Sequence, residues 1–192
     1  MQTERASYPY IEGETGIPFD QIIEPYKTKG KQLGHIRSGS GATLEYTIGS
    51  GLITVRDVGY PDRFMSAKVE SGIATFNVQT RRSELDKLDD NPEGAHPDMF
   101  AAKFVAFTLQ QFHGNNIDVV ACQGTWVPGS SNRELFMRSL DEHGDLVRAA
   151  KETWSGRLFV SLGFTELKEE DIAVAETESS ELGFSAVFRK PS

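Results

Sequence analysis

The side chains able to do acid, base or nucleophilic chemistry fall into a few groupings, and each also has a plainer use. Glu93, His96 and Asp98 stand close together. They offer imidazole and carboxylate, which serve as metal ligands or as a general base. The same residues suit a polar loop that caps the next helix, and with no second cluster of ligand types elsewhere no metal is expected. His113 and Cys122 supply the imidazole and thiol of an activated nucleophile. A buried cysteine more often packs as a small hydrophobe. Glu45 and Glu70 lie on alternating runs, where a carboxylate facing an acceptor takes a proton from an ammonium group. Glu45 is out of phase with Leu44 and Tyr46, so it equally suits a solvated face. Trp126 and Trp154 offer ring surface to a ligand or to the core. The acidic stretch from Glu169 to Glu181 is a solvated excursion or a docking site for a basic partner.

These residues need elements to hold them. Apolar and polar residues alternate in ATLEYTI, LITVRDV, RFMSAKV and GIATFNV, each rich in β-branched or aromatic side chains, which predicts four strands. The breaks between them are short enough for antiparallel hairpins, so a meander is the simplest topology. A long polar stretch follows, TRRSELDKLDDNPEGAHP. Phe100, Phe104, Phe107 and Phe112 then recur near helical spacing and predict a helix over residues 97–113, with Pro97 in its first turn and Gly114 at its end. The run IDVVAC, bounded by Asn115-Asn116 and Gly124, predicts a buried strand with a parallel partner.

Ser130 and Ser131 suit the cap of a helix over NRELFMRSL, Gly144 interrupts, and Asp145 suits the cap of a second helix over residues 146–162. A strand near residues 164–167, an acidic loop EEDIAVAETESSELG and a closing strand GFSAVFRK complete the chain. Residues 1–42 show no lasting periodicity apart from a short helix around residues 19–26. They are expected to form a loosely packed arm, or a part of the single domain over residues 43–192.

With 38% hydrophobic and 25% charged residues, and 12 Phe, the composition suffices for one core without staples. A net charge of −8 repels phosphate backbones and anionic lipid, so neither nucleic acid nor a membrane surface is an expected partner. The single Cys122 excludes an internal disulfide and fits a reducing compartment. No basic segment followed by an apolar stretch opens the chain, and no run is long enough to span a bilayer. A cytoplasmic location is expected.

The order of elements is antiparallel strands, loop, helix, buried strand, helix and two strands, with one helix ending in LFVSLGF. From about residue 73 to residue 190 this resembles the GNAT family of N-acetyltransferases. In that family an aromatic residue on the last helical turn precedes a Gly-Phe pair by four positions. The resemblance implies an α+β fold with a mixed, mostly antiparallel sheet, helices packed on it, and the acyl-CoA N-acyltransferase architecture. It implies acetyl-CoA or another acyl-CoA as cosubstrate, lying where two neighbouring strands splay, and a small-molecule or protein amine as acceptor.

The strand residues Phe76, Asn77 and Val78 would line the cofactor. Arg81, Arg82, Gly94 and Ala95 would face its phosphates, and Asp98, Met99 and Phe100 would open the helix whose dipole favours anions. The Val78 N–H would stabilise the acetyl oxyanion, and Glu45 or Glu70 would act as the base. The chain departs from the family pattern twice. The strand is followed by QTRRSELDKL in place of a glycine-rich phosphate loop, and Phe159 stands where a tyrosine commonly protonates the leaving thiolate. The same fold without catalysis, as a binding or regulatory module, is a second expectation. A third is an unrelated, all-antiparallel meander packed on the helix at residue 97.

Overall fold

The computed structural model describes residues 32–37, 42–79, 101–176 and 181–192, which form an α+β protein of mixed strand pairing. The described elements fall into two compact units.

The first unit is built on strands β1 (Gln32–Arg37), β2 (Thr43–Gly49), β3 (Leu52–Asp57) and β4 (Phe64–Glu70), each antiparallel to the next. Three of the four strands expected from alternation are therefore present as an antiparallel meander. Strand alternation sends Leu44, Tyr46, Ile48, Ile53, Val55, Met65 and Ala67 into the core. Each large side chain of that set contributes about 1.5–3 kcal/mol through burial. Helix α1 (Ala101–Gly114) packs on β4, with Phe104, Phe107 and Phe112 buried as their spacing predicts. The buried Thr108 hydroxyl donates to the Val105 carbonyl at 2.9 Å, so that hydroxyl is satisfied.

Strand β1 lies within the residues that showed no lasting periodicity. Its alternation is weak because Leu33 is exposed and Gly34 lies under the Tyr46 ring, where a Cβ would collide with the phenol. A glycine chosen for close approach carries no hydrophobic signal. The short helix expected at residues 19–26 and the first turn expected for α1 lie outside the described residues.

Strand β5 (Ile73–Gln79) follows a two-residue turn in which Ser71 and Gly72 take φ of 51° and 78°. That is the backbone pattern of a tight hairpin turn. Its residues 73–75 belong to the second unit and its later residues to the first.

In the second unit β5 pairs in parallel with β6 (Ala121–Trp126), Ile73 opposite Ala121, Ala74 opposite Cys122 and Thr75 opposite Gln123. The expected parallel partner is present, and an all-antiparallel sheet is excluded. β6 pairs antiparallel with β8 (Leu182–Arg189), and β8 with β7 (Ile172–Glu176). The closing strand therefore lies between β6 and β7. β6 begins four residues later than IDVVAC suggested and runs through Gly124 instead of stopping before it. A Cβ at residue 124 would stand 3.3 Å from the Trp126 indole nitrogen and 3.4 Å from the Ser155 hydroxyl. Glycine there makes room for a neighbour and does not break the strand.

Helix α2 (Ser131–His143) starts at the expected cap, Ser130, and ends at Gly144 with φ of 66°. The single helix expected over residues 146–162 is two, α3 (Leu146–Glu152) and α4 (Trp154–Ser161). Thr153 breaks it. Its hydroxyl donates to the Ala150 carbonyl at 2.8 Å and accepts from the Gly156 N–H at 2.9 Å, so one side chain closes one helix and opens the next. The strand expected near residues 164–167 is a single bridge, Glu166 with Arg189. The expected acidic loop contains a 3-10 turn, Glu169–Asp171, and the whole of β7. The apolar core IAVA outweighs the surrounding acids once β8 offers a ladder. No helix among the described residues is long and apolar enough to cross a membrane.

Candidate functional site

In the first unit the two candidate bases stand in different settings. Glu45 lies on β2 opposite His35 of β1 and opposite Arg56 of β3. Its carboxylate is 3.5 Å from His35 Nε2 and its side chain is 38% exposed. Glu70 ends β4, is 71% exposed and pairs with Lys68 at 2.5 Å. Alternation places Glu45 on the face opposite Leu44, Tyr46 and Ile48, as its phase in the sequence indicated.

Beyond the residues in register with β6, β5 carries Phe76 and Val78 half-buried and Asn77 exposed. Arg81, Arg82, Glu93, Gly94, Ala95, His96, Asp98, Met99 and Phe100 lie outside the described residues. Among the described residues no three His, Cys, Asp or Glu side chains gather as a metal site.

In the second unit the segment LFVSLGF has a local physical explanation. Gly163 takes φ of 93°, its N–H donates to the Val160 carbonyl, and the Phe164 N–H donates to the Phe159 carbonyl. These two bonds form a left-handed helix cap. Phe159 and Phe164 are both buried, and the Phe159 ring meets Phe188 edge-on at 5.5 Å. Phe159 is thus a core residue with no group to donate a proton.

Trp126 is buried as well, its ring tilted against Phe136 at 5.2 Å, and Phe136 lies 4.5 Å from Phe184. Its indole N–H donates to Ser155 Oγ at 2.8 Å, which satisfies the polar end of a buried ring. Core packing, not pocket lining, is its use. Trp154 is exposed.

Cys122 is fully buried, and burial pushes its thiol far above the usual range, against a smaller opposing effect of the Lys190 charge. It stays a neutral thiol, as the inert alternative requires. His113 is exposed at the end of α1.

Two clusters have no local sequence signal. Asn132 on α2 accepts from the Trp154 N–H at 2.8 Å and the Ser155 N–H at 3.3 Å, capping a helix that starts 22 residues later. The buried Ser139 donates to Glu152 Oε2 at 2.5 Å, and Arg148 Nε reaches Oε1 of the same carboxylate at 2.8 Å. The hydroxyl first, and then the guanidinium, hold the Glu152 carboxyl below its ordinary value. The Arg148 pair follows helical spacing, but Ser139 comes from another helix and is invisible to any local pattern.

No protein-family model, curated protein or solved structure matches the chain.

Proposed function

We propose that the chain is a divergent GNAT-like acyltransferase that moves an acetyl or other acyl group from a coenzyme A thioester to an amine. The observation that supports it is the parallel register of β5 with β6, the strands before and after the phenylalanine-rich helix. That register covers three residues of each strand, and β5 continues to Gln79. Phe76, Asn77 and Val78 therefore follow the paired stretch, where the resemblance puts the cofactor. The loop and helix-start residues Arg81, Arg82, Gly94, Ala95, Asp98 and Met99 complete the proposed binding set.

The amine nitrogen attacks the thioester carbonyl carbon, the C–S bond breaks and the thiolate leaves. Val78 N–H is the proposed donor to the oxyanion. The ammonium proton passes to a carboxylate, and Glu45 is the better placed of the two candidates because it is the less exposed and has His35 beside it. Phe159 has no proton to give, so the departing thiolate takes one from solvent.

Isothermal titration with acetyl-CoA tests the proposal. Saturable heat and a rise in melting temperature are expected, and acyl transfer to a panel of amines should drop in Glu45→Gln. No heat and no thermal shift at millimolar acetyl-CoA removes the acyl-CoA reading.

The core position of Phe159 favours a second reading, in which the same fold binds a ligand without turnover. Binding of acetyl-CoA with no transfer to any amine would select it.

A further inference from the structure

Among the described residues the strand order of the second unit ends at β7, which pairs with β8. The direction of the β7 backbone groups follows from parity along β8. Arg189 exchanges both backbone hydrogen bonds with Glu166, at 2.8 and 3.1 Å, whereas the Lys190 N–H turns the other way, to Val120 ahead of β6. In an antiparallel ladder residues alternate between the two sides. Ser185 and Gly183 therefore bond toward Ala173 and Ala175 of β7, their register partners. Val174 lies between those two, so its N–H and carbonyl point outward, away from β8.

Ala173 and Val174 are exposed, Val174 at 53%. Edge strands are normally protected by lysine, proline or a bulge. Residues 172–176, IAVAE, contain neither residue and keep unbroken register over five pairs. The described residues that flank it in the chain are acidic, Glu169, Glu170 and Asp171 before it and Glu181 after it, and its own last residue is Glu176. Lys168 and Arg189 offset part of this charge, through Glu170 at 3.5 Å and Asp171 at 3.1 Å.

We propose that β7 is a strand-addition site for an extended, lysine- or arginine-bearing segment of a partner protein. Main-chain bonds to Val174 provide the attachment, and the acidic flanks select a basic occupant. The same flanks repel a second copy of β7, which brings like charges to the same edge. The site is independent of the acyl-transfer proposal.

The test uses the full chain and a fluorescently labelled synthetic peptide alternating Val and Thr with Lys, beside its Lys→Glu counterpart. The lysine peptide should bind and weaken as salt rises, and the glutamate peptide should not. Val174→Pro removes an outward N–H without touching the β8 ladder. It should lower affinity for the lysine peptide about tenfold, as expected for a lost hydrogen bond and a disturbed edge, while Val174→Thr keeps it. If Val174→Pro melts early, amide exchange on the native chain replaces it: the Val174 amide should gain protection when the lysine peptide is added. Equal affinity for the two peptides, undiminished binding by a folded Val174→Pro, no binding at all, or a self-association that buries Val174 would each overturn the proposal.

Discussion

Asn132 Oδ1 accepts the backbone N–H of Trp154 at 2.8 Å, so one helix supplies the cap for the start of another. Asn132→Ala should lower stability by about 1 kcal/mol, the usual cost of losing a cap acceptor. Asn132→Asp keeps an acceptor at a helix N-terminus and should stay close to wild type. Urea melts of the two variants check this, and equal losses would show that the cap contributes nothing.

Two glycines on either end of α4 should respond to alanine for different reasons. A Cβ at residue 156 would run into the Ala150 carbonyl and approach the Thr153 hydroxyl at 2.9 Å. At residue 163 a Cβ meets nothing, but φ is 93°. Gly156→Ala should cost about 2–3 kcal/mol through overpacking against backbone. Gly163→Ala should cost about 1–2 kcal/mol through left-handed backbone strain alone. The order of the two melting temperatures is the measurement, and Gly163→Ala as the worse variant would contradict the packing at Ala150.

The Glu152 carboxyl is held low by the Ser139 hydroxyl and the Arg148 guanidinium. A carboxyl depressed in the folded state contributes stability above its unfolded-state value and loses it as pH falls through the folded-state value. Ser139→Ala should therefore be destabilised relative to wild type at neutral pH, and part of that gap should close below about pH 4. Parallel stability profiles from pH 7 to acid, with a constant gap, would rule out the carboxylate as its origin.

Burial keeps Cys122 a thiol with no access to reagents. In the native chain it should resist a thiol-specific reagent at neutral pH, and it should react at once in denaturant. Cys122→Ala should be tolerated better than Cys122→Ser, which buries a hydroxyl in an apolar place. Rapid native labelling would mean that β6 opens far more readily than a core strand should.

The strands β2, β3 and β4, helix α1 and the start of α2 follow from the chain alone. Each depends on neighbours in sequence: period-two alternation, phenylalanine at helical spacing, a serine hydroxyl before a helical run. The parallel partner for a buried run after a helix was legible for the same reason. The candidate site was less so. Glu45 could be placed on an outward face by phase alone, but its His35 neighbour comes from β1, a strand whose glycine sits under Tyr46 and leaves no alternating trace. Phe159 was read for its place in LFVSLGF, where the fold uses it to close a helix.

Tertiary structure decided what depends on distant partners. Gly124 looks like a break until the Trp126 indole and the Ser155 hydroxyl occupy the space a side chain would need. The break at Thr153 becomes stable because Asn132 arrives from another helix to satisfy the freed N–H groups. β7 reads as an acidic loop until β8 supplies its ladder. Local propensity records only what a residue does with its neighbours along the chain, whereas hydrogen-bond satisfaction and close packing are settled between residues that only folding brings together.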